Sequence, residues 1–178
     1  MARPLPPESI VARAIVADLQ AIDWIAEMDE YLEQGQDVTV RHWRGVYADE
    51  EEKPALLVRI EGMETDQGDD EYGYGADGEL RKHLLISLIV DGDLPTRLSE
   101  QDQTGLEMFG WIIAVAMARL KNRDVALLYD VADGIRDTGM GPDADGNTDE
   151  GRLVQTADVV YRVLEADPKV LLHRGANA

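Results

Sequence analysis

The residues whose types and spacing come nearest to a chemical site are Asp143, Asp145, Asn147 and Asp149, four oxygen-bearing side chains at alternating positions. That spacing opens a calcium loop, in which oxygens at the first, third and fifth positions surround a hard cation. With Asp143 as position one, however, the sharp-turn sixth position is Thr148 instead of Gly, and the twelfth is Val154 instead of a bidentate Glu. The expectation is therefore a solvated acidic turn and no metal site, these four residues being the candidates if a cation binds. Gly73, Gly75 and Gly78 have the spacing of a phosphate-cradling glycine loop but lack the preceding strand and following helix that give that loop its mechanism, so a tyrosine-glycine surface loop is the expectation. Gly-x-Ser-x-Gly, His-Glu-x-x-His and a Walker lysine are all absent, and the chain has no cysteine. His42, beside Trp43, and His83, at the start of an apolar run, read as packing or hydrogen-bonding residues. The expectation is no catalytic residue, no cofactor and no enzyme activity.

A second kind of chemistry is recognition. Trp24, Trp43 and Trp111 fall in three separate elements, and tryptophan serves either a core or an interface. Trp111, Ile112 and Val115 form an apolar flank on a helix that already has a complete stripe, and Tyr72 and Tyr74 stand in the glycine-rich segment; these five are the interface candidates. Arg41, Arg44, Arg59, Arg81 and Arg97 could meet acidic surfaces of neighbours or remain solvated. Seventeen Lys and Arg against 36 Asp and Glu give a net charge of −19, which disfavours a groove that tracks phosphates. Such a charge keeps a subunit dispersed until it joins an assembly, although many acidic proteins have no such role. No run of about 18 apolar residues and no apolar leader occurs, so a soluble protein made inside the cell, with no membrane partner, is expected.

The elements that must position these residues form one domain, 1–178, since 178 residues suffice for a single core and contain no evident linker. Residues 153–164 alternate cleanly: Leu153, Gln155, Ala157, Val159, Tyr161 and Val163 against Val154, Thr156, Asp158, Val160, Arg162 and Leu164. A long strand so late must return to a sheet begun earlier, which predicts an α+β fold. The other predicted strands are 38–47, 55–60 and 80–90, the last apolar on both faces and so central. Neighbouring strands with a short connector predict antiparallel pairing, giving a mainly antiparallel four-stranded sheet packed against helices. Prolines 6 and 7, with Ser9 as a cap, start a helix carrying Val11, Ile15, Leu19, Ile22 and Ala26; Asp23 offers a separate start for Trp24 and Met28. A long helix near 99–123 carries Leu106, Phe109, Ile113, Met117 and Leu120, and 125–131 can add another turn. Glycine- and acid-rich excursions are expected at 61–78 and 133–151, with a short tail at 169–178.

This order of elements resembles that of the tail terminator, or tail completion, proteins of long-tailed bacteriophages and of gene-transfer-agent-like particles. The opening amphipathic helix, Pro54-Ala55-Leu56-Leu57-Val58-Arg59-Ile60, Leu84-Leu85-Ile86-Ser87-Leu88-Ile89-Val90 and Val159-Val160-Tyr161-Arg162-Val163-Leu164 carry the resemblance. It implies a homo-oligomeric ring, commonly of six subunits, that caps the finished tail tube at its head-proximal end. The major tail tube protein and a head-completion or neck protein would be partners, and DNA would pass through the lumen without specific binding. The protein would be made in the host cytoplasm and reside in the virion. A head-completion or neck adaptor is the alternative within the same particle, and a small enzyme or cation-binding module the alternative outside it.

Overall fold

The computed structural model describes residues 5–28, 37–65, 74–75, 78–93, 104–142, 150–164 and 166–172. Two long strands, β4 (Glu79–Asp93) and β6 (Glu150–Leu164), pair antiparallel along their whole lengths and form the centre of the sheet. β2 (Ala55–Thr65) flanks β4, and β1 (Thr39–His42) lies outside β2. β5 (Gly134–Pro142) lies outside β6, giving the order β1-β2-β4-β6-β5, while the two-residue β3 (Tyr74–Gly75) pairs with β4. The fold is α+β, but the sheet has five main strands and is mixed, not four antiparallel ones.

Two expectations fail for identifiable reasons. β1 and β2 run parallel, with Thr39 opposite Ala55 and His42 opposite Val58. A parallel pair needs a crossover of about a dozen residues, and residues 43–54 supply it. They return over the sheet, Trp43, Tyr47 and Ala48 packing on Ala55, Leu57 and Ile89, so that β2 begins beside the start of β1. The predicted strand 38–47 is thereby cut to four residues. The second failure is the excursion at 133–151, because β5 occupies Gly134–Pro142. Gly134, Gly139, Gly141 and Pro142 hide this strand from propensity, yet an edge strand needs backbone pairing on only one side and tolerates such residues. The excursion at 61–78 likewise loses residues 61–65 to β2 and 74–75 to β3.

The helices cover one face of the sheet, the inner face. α1 (Pro7–Gln20) starts with Pro7 after an extended Pro6 and has no side-chain cap, so Ser9 lies inside the helix and does not cap it. α2 (Trp24–Glu27) is a separate short helix, and Asp23 Oδ1 accepts from Ala26 N at 3.2 Å. α3 (Thr104–Lys121) and α4 (Leu128–Val131) complete the layer. Val11, Ile15 and Leu19 of α1, with Phe109, Ile112, Ile113, Ala116, Met117 and Leu120 of α3, are buried against alternate residues of β4 and β6. Ala157, Val159, Tyr161 and Val163 all point inward, as the two-residue period requires. Each large side chain so buried stabilises the fold by about 1.5–3 kcal/mol. The side chain of Leu106 lies outside the described residues. In the tail, Val170 to Leu172 fold back on β6: Leu164 N donates to Val170 O at 3.1 Å and Leu172 N to Arg162 O at 2.9 Å. Leu171 is buried there.

Candidate functional site

Among the described residues the opposite, outer face of the sheet is covered only where residues 43–54 pack on Ala55, Leu57 and Ile89, and its residues follow from strand parity. Arg41, Arg59, Arg81, Arg136, Arg152 and Arg162 all occupy register positions on this face. Most lie along the strands and hold carboxylates. Arg41 Nε and Nη2 donate to Glu52 Oε2 at 3.2 and 3.0 Å, a bond that lowers the Glu52 pKa. Arg59 Nη2 lies 2.6 Å from Glu61 Oε1, to which the Ser87 hydroxyl also donates. Arg152 Nε reaches the buried Asp91 at 3.3 Å while its guanidinium stacks 3.4 Å from the centroid of Tyr47. Arg162 bridges Glu79 at 2.8 Å and Asp133 at 3.0 Å, and the bond to Glu79 raises its pKa further. Charge-assisted bonds of this kind are stronger than neutral ones and fix planar guanidinium groups in place.

Where β4, β5 and β6 meet, this lattice opens into a shallow recess of about 390 Å³ lined by Arg81, His83, Asp133, Arg136, Asp158 and Val160, with Gly134 and Ile135. Asp158 is buried beneath it, 2.9 Å from His83 Nδ1 and 3.1 Å from Arg136 Nη2. A histidine paired with a buried carboxylate is half of a nucleophile-activating arrangement. Among the described residues the lining includes no serine, threonine, cysteine, tyrosine or lysine to supply the other half. Arg136 leaves 75% of its side chain exposed, so its guanidinium is accessible to an acidic group. His83, expected to be a packing or hydrogen-bonding residue, bonds to Asp158. Its partners were hidden because Asp158 and Arg136 become its neighbours only through strand pairing; the visible signal was Asp158 itself, a lone acid amid the apolar run of β6.

The flank predicted on α3 divides. Trp111 is 45% exposed and its Nε1 donates to Glu27 O at 2.9 Å, and Val115 is half-buried. Ile112 is a correction: it is fully buried in this chain's own core, because it faces the sheet together with Phe109 and Ile113. Trp24 is core, its Nε1 donating to Leu19 O at 3.0 Å. Trp43 packs edge-on against Tyr47 with centroids 4.8 Å apart. Asp143, Asp145, Asn147, Asp149 and Tyr72 lie outside the described residues, and of Tyr74 only the backbone, in β3, is described. Among the described residues no three His, Asp or Glu side chains gather to hold a metal, and no helix is long and apolar enough to cross a membrane.

No family model matches the chain, and no curated protein matches it. Among solved structures, one similar chain belongs to a structure titled "Virion of native gene transfer agent (GTA) particle". It is 14% identical, with 85% of this chain and 94% of that chain covered at a TM-score of 0.46.

Proposed function

We propose that this protein is a structural component of a phage-like virion that acts as a tail terminator, a closed ring seated on the head-proximal end of the tail tube. The observation that carries this reading is the one-sided architecture. The large core lies between the helices and the inner face of the sheet, and the part of the outer face left uncovered by residues 43–54 is shallow and lined with arginines and their carboxylate partners. A small substrate is better held by a deep, mostly apolar pocket, whereas a broad face with a rigid arginine lattice fits a protein neighbour. The sequence resemblance to tail terminators supplies the particular neighbours: further copies, the tube protein below and a neck or head-completion protein above. The mechanism is steric. The ring occupies the end on which tube subunits polymerise and offers its other surface to the head connector, with no bond made or broken. Net charge −19 suits a lumen through which DNA must slide, because cationic contacts would have to be broken on passage.

Deletion of the gene tests the reading. Filled heads with overlong, irregular or unattached tails are expected under electron microscopy. Particles with attached tails of normal length would overturn it, and unattached tails of correct length would favour the neck adaptor instead.

A further inference from the structure

The domain carries two unlike surfaces on opposite sides. On the helical side, Glu107, Trp111, Ala114 and Ala118 recur at steps of three and four along α3 and are all exposed, turned away from the buried Phe109, Ile113 and Met117. Glu27, which accepts the Trp111 indole N–H through its backbone, is exposed beside them. This strip is thus an aromatic ring flanked by acids. On the other side of the sheet, Arg81 and Arg136 are exposed at the recess beneath β4 and β5. The two surfaces are separated by the core and cannot meet within one chain.

We propose that neighbouring copies associate head to tail, the Glu107–Trp111 strip of one copy seating on the Arg81–Arg136 end of the next copy's outer sheet face. This rests on the ring reading and names its contact. Charge complementarity selects a second copy as the occupant. Most arginines of the outer face are neutralised by carboxylates of their own chain, but at this end Arg81 and Arg136 are exposed, so an acidic surface of the same protein, whose net charge is −19, meets accessible guanidinium groups there. Trp111 adds an exposed π face for a guanidinium, an attraction that strengthens as water is excluded. Because the patches differ, the contact has a direction and does not stop at a two-fold pair; repeated under a constant rotation that divides a full turn, it closes the ring of the reading above.

The experiment is variant mixing, read by native mass spectrometry on the full chain with circular dichroism to confirm folding. Trp111→Glu breaks one patch and Arg136→Glu the other, and each alone should be monomeric, its self-association weakened about tenfold or more. Mixed, they should form one-to-one pairs that grow no further, because one intact patch of each type remains. Since Arg136 supports Asp158, Trp111→Glu and Arg81→Glu form a second pair free of that contact and should behave alike. Assembly that survives these reversals, or folded variants whose mixtures give no pairs, overturns the contact while leaving a ring possible by other surfaces. A wild-type chain that stays monomeric at every concentration overturns the contact and the ring together.

Discussion

Asp18 is a carboxylate on the inward side of α1, as buried as Ile15 and Leu19 beside it. Its oxygens accept from Leu127 N and Leu128 N, each at 2.8 Å, and from Arg119 Nη2 at 3.4 Å. Removing one member of a buried charged network strands the rest, so Asp18→Ala should cost about 3 kcal/mol, measurable by urea unfolding. A loss well below 1 kcal/mol would show that the network is replaceable by water, on the scale of an exposed pair. None of this was legible beforehand, since the partners are backbone amides 109 and 110 residues away and carry no side-chain signature. His42 offers a pH prediction. Burial, then the charges of Arg13 and Arg44, lower its pKa from 6.5. Its folded value lies below its unfolded one, so the stability it contributes is present above pH 6.5 and is lost as pH falls through the lowered value. Unfolding free energy measured between pH 7 and 5 should decline, and His42→Gln should flatten part of that decline.

At the scale of elements, the two-residue period made β6 legible to its individual faces, and the three-and-four stripe did the same for α3. Both signals come from burial on one side, which composition records directly. β5 left no such record, because an edge strand of glycine and exposed polar residues is held by backbone bonds that any sequence supplies. The direction of β1 was also illegible, since it depends on how residues 43–54 cross the sheet. The packing of α3 on β4 can be tested from both sides. Ile113→Asp buries a charge and should cost several kcal/mol, about 3–5. Gly92→Ala would place a methyl 2.9 Å from Cε1 and 3.1 Å from Cζ of the buried Phe109, so a loss of about 1–3 kcal/mol is expected by thermal melting. Unchanged stability in the glycine variant would mean that α3 moves freely on the sheet.

For the molecule as a whole, −19 net charge predicts that the protein leaves duplex DNA unretained in filter binding at physiological salt; a dissociation constant tighter than about 1 μM would contradict the proposed ring with a DNA-inert lumen. The acidity was readable from the sequence, whereas the recess was not, because its arginines, histidine and carboxylates come from strands far apart in the chain. The strand order has one more result, and it concerns the ribosome. β6 is the last of the described strands to be synthesised, yet it sits between β4 and β5 and joins them. Until it emerges, the nascent chain displays the long apolar edge of β4 with nothing to pair it, and β5 has no neighbour at all. Native structure must therefore form late, through contacts of large sequence separation, on the slow side of the range for domains of this size. Meanwhile the unpaired edge is a target for chaperones and for other nascent copies. Protease pulses on stalled chains should find β4 cleavable until β6 has cleared the exit tunnel, and early protection would mean that another segment shields that edge in the interval.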